Sequence, residues 1–224
     1  MRPSEQNEKT FSKNVAVFEE NYWRPDEEEA VKFLKKGKLL IGGVGAGRTV
    51  GPLLEKGFDI TAVDISPQMI EMCRKRWPDV PASVMDLQKT TFANETFDSI
   101  FLPFHTIAYV DDLDETLREM NRILKPGGTF VFSIPNFWYI RQVTHGQIFH
   151  GKRHLTHITR KSEDTLSTIF LSMLDTGRLR KIFPYVKARG RVSLQILENP
   201  NWKDKVLQRI PFIDKSLYFF CKKG

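Results

Sequence analysis

Three glycines at alternate positions, in Gly43-Val44-Gly45-Ala46-Gly47, stand between a short apolar run and a segment that reads as a helix. Glycine tolerates positive φ and lets a ligand approach the backbone closely. The helix that follows offers free N–H groups and a positive dipole end, suited to a carboxylate or a phosphate. Asp64 lies 21 residues beyond Gly43, at the end of the next apolar run. An acid about 20 residues on is placed to accept hydrogen bonds from ribose hydroxyls. Together these residues describe a site for a ligand that carries a nucleoside. A dinucleotide is disfavoured. The third glycine of G-x-G-x-x-G falls on Arg48 when counted from Gly43, and on Val50 when counted from Gly45.

Proton transfer at such a site falls most readily to histidine. His105 follows a later apolar run, on the edge where open α/β sheets bind ligands. His145, His150, His154 and His157 gather in a basic, aromatic segment. His105 and His154 are the candidate bases. His150 and His154 have an i, i+4 spacing that can chelate a metal, but no acidic or cysteine ligand sits with them, so no metal site is expected.

The elements that must position these residues alternate. Arg24 to Gly37 reads as one helix, with Pro25 and four acids at its start and Lys35 and Lys36 at its end. Strands are expected at 38–41, 59–63, 82–85, 98–102 and 129–134. Helices are expected at 48–56, from the Ser66 cap to about Arg76, and on the face formed by Leu113, Leu117, Met120 and Leu124. This rhythm predicts parallel βαβ units in a doubly wound α/β sheet. Past Ile134 it breaks. Residues 135–161 read as irregular, Leu166 to Leu174 as an amphipathic helix stopped by Gly177, Leu179 to Val186 as a strand, and Ser216 to Cys221 as a last strand. Short helices are expected at 14–20 and 202–210. The division is 1–37 for an N-terminal tail and helices, 38–135 for the ligand-binding core, and 136–224 for a substrate lid and the completion of the same domain.

The two cysteines form no framework, the first residues read as no signal peptide, and no apolar run spans a bilayer. A cytoplasmic protein is expected. The net charge of +7 is concentrated. Between Arg141 and Arg191 the basic residues exceed the acidic ones by eight, which favours an anionic partner. Phe137, Trp138, Tyr139 and Phe149 are interleaved there with Arg141, Lys152, Arg153 and Arg160. Such a mixture suits nucleic acid or a substrate lid, and with no RNA-binding module in the sequence the lid is preferred.

In order along the chain stand Leu40-Ile41-Gly42-Gly43-Val44-Gly45-Ala46-Gly47-Arg48, Val63-Asp64-Ile65-Ser66-Pro67-Gln68-Met69, Met85-Asp86-Leu87, Phe97-Asp98-Ser99-Ile100, and Arg122-Ile123-Leu124-Lys125-Pro126-Gly127-Gly128. In these the chain resembles the class I methyltransferases that use S-adenosylmethionine (SAM), especially their small-molecule, ubiquinone-biosynthesis-type branch. The resemblance implies a Rossmann-like, mostly parallel seven-stranded sheet with an antiparallel last strand. It implies SAM as cofactor, and a methyl group moved to oxygen or nitrogen of a small, anionic acceptor. By the same resemblance Gly43, Gly45 and Gly47 line the methionine half, and Asp64 holds the ribose with Ile65 against the adenine. Asp86 and the Leu87 N–H meet the adenine edge, while Pro103 and Phe104 face the sulfonium and the acceptor. One position departs. The family carries an acid two places before the first glycine, for the amino end of SAM, and Ile41 stands there. A SAM-binding relative without catalysis and an RNA methyltransferase are the alternatives.

Overall fold

The computed structural model describes residues 23–135, 148–150, 153–158, 167–172, 176–190 and 216–224. Its centre is a sheet in which β1 (Lys38–Gly42) is flanked by β2 (Asp59–Asp64) and β4 (Phe97–Leu102). Beyond β2 lies β3 (Ala82–Val84). Beyond β4 come β5 (Leu124–Pro135), β10 (Ser216–Lys222) and β9 (Tyr185–Gly190). The order is β3-β2-β1-β4-β5-β10-β9, and β10 runs antiparallel to both of its neighbours. This is the doubly wound, mostly parallel seven-stranded sheet that the alternation and the resemblance imply.

The strands are continuous apolar runs because both faces of the sheet are covered. Successive residues feed opposite layers. Leu39 and Ile41 pack into one, with α1 (Pro25–Val31), α2 (Val50–Glu55) and α3 (Pro67–Arg76). Leu40, Ile100 and Leu102 pack into the other, with α4 (Leu113–Ile123) and α5 (Thr176–Ile182). The Asp112 carboxylate starts α4 by accepting the Glu115 N–H at 3.0 Å, and Leu113, Leu117, Met120 and Ile123 form its buried face. Each such side chain, fully buried, is worth roughly 1.5–3 kcal/mol.

Several expectations are corrected. The helix expected over 24–37 ends at Val31. The Lys35 N–H then donates to Thr129 Oγ1, and the Lys35 carbonyl accepts from Ser99 Oγ, so the chain leaves the helix to bond to the sheet. Leu124 already pairs with Phe97, ahead of a bulge at Pro126-Gly127-Gly128. Within 135–161 the backbone forms β6 (Ile148–His150) and β7 (Arg153–Ile158), paired antiparallel, with His150 opposite Arg153. The helix expected at 166–174 is instead β8 (Ser167–Ser172), paired with β7. A short apolar run with Thr168 and Ile169 fits either period, and the partner strand decides. Between 179 and 186 the order is helix, then strand. Leu179 and Phe183 lie four apart and fully buried, Gly177 is inside α5 rather than beyond a helix, and Pro184 separates α5 from β9. The short helices expected at 14–20 and 202–210 lie outside the described residues. Among the described residues no helix is long and apolar enough to cross a membrane.

Candidate functional site

The glycine turn, the end of β2 and the end of β4 meet at the C-terminal edge of the sheet. Val44 N–H donates to the Val63 carbonyl at 3.1 Å, binding the turn to β2. Asp64 then bridges the two elements. One carboxylate oxygen accepts the Gly45 N–H at 2.8 Å and the other accepts the Ser66 N–H at 2.9 Å. With about four acceptor positions and three backbone N–H groups bearing on it, the carboxylate keeps room for a further donor. Burial pushes the Asp64 pKa above its ordinary value, and the N–H groups of Ser66, Gly45 and Ile65 pull against it.

All three glycines of the cluster adopt positive φ, but they face different surroundings. A Cβ on Gly43 would stand 2.3 Å from Thr106 Cγ2, and one on Gly47 would stand 2.6 Å from Trp77 Cδ1. At Gly45 a Cβ would meet nothing within 4 Å. Gly45 is thus the open point of the turn, while Thr106 and Trp77 brace its two ends. Trp77 Nε1 donates to the Gly47 carbonyl at 2.8 Å, and its ring fills the space beside Gly51. Thr49 Oγ1, buried at 2% residue exposure, has no hydrogen-bond partner among the described residues.

Around Asp64 two large apolar side chains stay exposed, Ile65 at 40% and Val84 at 49%, with Val84 paired to Asp64 across β2 and β3. Asp86 accepts the Gln88 N–H at 2.9 Å. Leu87 is buried against Gly42, where a Cβ would come within 2.8 Å of it. Pro103 is buried, and Phe104 is 44% exposed. Phe104 and His105 both hold positive φ, which is uncommon for residues other than glycine and costs of order 1–3 kcal/mol each. The His105 N–H donates to Ser133 Oγ at 3.0 Å, and its ring lies 6.1 Å from that of Phe104.

The candidate histidines separate. His105 is at the site edge. The backbone of His154 lies on β7, opposite Phe149 on β6 and Leu171 on β8. β8 runs beside the 3-10 turn Thr106–Tyr109. His150 and His154 fall on adjacent strands rather than on one helix face, so their chelating spacing does not translate into a helical pair. His145 and most of the basic, aromatic stretch from 136 to 160 lie outside the described residues.

Sequence reasoning missed one cluster. The first turn of α1, read as an ordinary dipole complement, has Asp26 and Glu27 almost fully buried. Glu27 holds Arg48 through two bonds of 2.7 and 2.5 Å and caps the Arg24 N–H at 3.1 Å. Asp26 accepts from Arg24 Nε at 3.1 Å and from the Tyr218 hydroxyl at 2.7 Å. Burial alone would lower the Arg48 pKa, and the Glu27 carboxylate reverses that. Both guanidiniums approach the Phe104 ring, at 5.6 and 5.7 Å. The available signal was Arg48 itself, a cation directly after the glycine turn with a run of acids upstream.

An open glycine turn beside the partly buried Asp64 carboxylate, with Ile65 and Val84 exposed near it, is an arrangement that can take a ligand carrying a nucleoside. Residues 40–132 match the family described as methyltransferase domain. The chain is 32% identical over 124 residues to a demethylmenaquinone methyltransferase of Renibacterium salmoninarum, covering 54% of this chain and 52% of that protein. It is 30% identical over 138 residues to a ubiquinone/menaquinone biosynthesis C-methyltransferase of Geotalea daltonii, covering 55% and 57%. The matches thus span about half the length of these relatives. An S-adenosylmethionine-dependent methyltransferase structure from Mesorhizobium loti superposes with a TM-score of 0.63 at 16% identity, covering 89% of this chain and 98% of that one, which establishes the fold. SAM is the cofactor that this domain and fold imply. The residues present fit it: free acceptor capacity on Asp64, an uncovered Gly45, a Thr49 hydroxyl with no partner among the described residues, and exposed apolar surface for a purine.

Proposed function

We propose that this chain transfers a methyl group from SAM to a ring carbon of a small, ionisable quinol-type acceptor. The observation that carries the donor half is the Asp64 bridge beside the open Gly45. The acceptor half is supported by the relatives, which are named as methyltransferases of demethylmenaquinone and as a C-methyltransferase. Carbon thereby replaces the oxygen or nitrogen expected from the resemblance, and an ionised quinol keeps the expected anionic character.

When bound, SAM supplies a methyl group already activated on a sulfonium. The chain's own residues align and dry the site, and such positioning supplies about 7–11 kcal/mol. Asp64 takes the ribose hydroxyls, Ile65 and Val84 cover the adenine, and Asp86 with the Leu87 N–H reads its edge. Gly45 admits the donor to the backbone, with Gly43 and Gly47 shaping the turn around it. Pro103 and Phe104 form the floor on which the acceptor meets the methyl group. His105, on the same turn, accepts the proton that the acceptor loses. His154 is the second candidate, on the small sheet beside that turn.

Incubating the protein with SAM and a chemically reduced 2-alkyl-1,4-naphthoquinone bearing a free ring carbon tests this. The expected product is one methylene unit heavier and keeps both ring hydroxyls unmethylated, with S-adenosylhomocysteine (SAH) formed in equal amount. Methyl ether formation, or SAH binding without any product from this acceptor, contradicts ring-carbon transfer.

A further inference from the structure

We infer that Trp77 is a positioning residue for the donor: its indole N–H closes a ring of bonds that presets the glycine turn in the shape the donor needs. The inference rests on the donor reading above and adds the side chain that prepares the turn before a ligand arrives.

A turn built on three glycines does not hold itself, because glycine gives up more backbone freedom on ordering than any other residue. Its near end is secured by the Val44 N–H on β2, and its closure by the Gly47 N–H on the Val44 carbonyl at 3.1 Å. Asp64 fixes the Gly45 N–H. At the far end the Gly47 carbonyl takes two donors, the Val50 N–H of α2 at 3.2 Å and Trp77 Nε1 at 2.8 Å. The second of these comes from α3, outside the turn and its own helix.

α3 thus meets the site at both ends. At its start the Ser66 N–H donates to one Asp64 oxygen, while the other oxygen holds Gly45. At its end Trp77, whose backbone N–H is still on the Cys73 carbonyl at 2.8 Å, reaches back to Gly47. The path from Asp64 to Ser66, along α3 to Trp77, across to Gly47 and through Ala46 to Gly45 returns to Asp64. The indole is itself held in place. Its ring occupies the room that a Cβ on Gly47 or Gly51 would need, and the Arg76 guanidinium lies over it at 5.6 Å. Packing alone needs no donor, and here the donor is aimed at the one carbonyl that ends the turn. Without that bond the free turn spreads over shapes the donor does not fit, and affinity falls with the fraction that stays competent.

Replacing Trp77 by 3-benzothienylalanine, an indole isostere with sulfur in place of the N–H, cuts the bond and keeps the packing. SAH affinity is expected to weaken about 3–10-fold, the worth of one ordinary hydrogen bond. Amide exchange at residues 44–48 is expected to quicken in the free protein and to become as slow as in the wild type once SAH is saturating. Trp77→Phe removes the same donor and shifts both readouts in the same direction, should the isostere fail to fold. Lys125→Met, at the other end of the strands, lowers stability and leaves SAH affinity unchanged. Isostere protein with wild-type SAH affinity, turn amides that exchange no faster, or a Lys125→Met protein that loses as much affinity overturns the inference. Wild-type protein that binds no SAH overturns the donor reading itself, and this one with it.

Discussion

Asp64 ties the turn to β2 with the same two oxygens that the proposed function gives to the ribose, and its titration links the two roles. Its carboxylate is disfavoured by burial, so its pKa lies above the ordinary value. The sign follows: the cost of holding it ionised is absent at low pH and appears as pH rises from the unfolded value through the folded one. Ribose hydroxyls donate to the ionised form. SAH affinity is therefore expected to fall as pH drops through that raised pKa, while melting temperature does not fall in parallel from this group. Calorimetric titration across mildly acidic pH checks this, and pH-independent affinity would contradict the ribose role. His105 makes a second test. Asn tolerates the left-handed backbone found there, so His105→Asn removes the imidazole with little strain. A drop of about 10²–10⁴-fold in kcat with SAH affinity retained is the expected result for a base. Unchanged kcat assigns the proton elsewhere, His154 being the next variant to measure.

Trp77 ties α3 to the glycine turn, and the glycines it packs on show how local preference yields to packing. Gly51 sits inside α2, where alanine would gain up to about 1 kcal/mol in helix propensity. An added methyl would stand 2.7 Å from the indole, and overpacking costs typically 1–3 kcal/mol. Gly51→Ala is thus expected to lower the melting temperature, not raise it. At the other end of the strands, Asp98 accepts Lys125 Nζ at 2.9 Å and the Lys38 N–H at 3.0 Å, and the Lys125 bond leads in holding its pKa below the ordinary value. Its contribution is present above the unfolded pKa and lost as pH falls through the folded one. Lys125→Met should therefore narrow the difference in stability between neutral pH and pH near 3, in thermal unfolding. Elements set by local signals were legible in the sequence: the Ser66 cap, the Pro67 start, and the alternation from β1 to β5. Elements set by partners were not. β8 takes its form from β7, and α1 stops where Lys35 finds Ser99 and Thr129. The site followed the same division. The turn and Asp64 are contiguous motifs, whereas Arg24, Glu27, Trp77 and Tyr218 come together only by folding.

At the scale of the molecule, the methyltransferase domain matched over 40–132 is wrapped by segments on either side of it. α1 packs on one face of the sheet, and β10 inserts between β5 and β9, with Phe132 and Phe219 stacked 5.2 Å apart at that seam. The seam carries Tyr218, whose hydroxyl donates to Asp26. Burial and that carboxylate push its pKa up, so it stays a donor at neutral pH. The inserted strand and α1 are thereby joined through one side chain. The central claim of the proposed function is that the glycine turn and Asp64 together hold SAM, with Asp64 on the ribose. Calorimetric titration of wild-type and Asp64→Ala protein with SAH tests it most directly. The account predicts saturable one-to-one binding that weakens at least ~10-fold in the variant. No binding by the wild type, or equal affinity in both proteins, would contradict it.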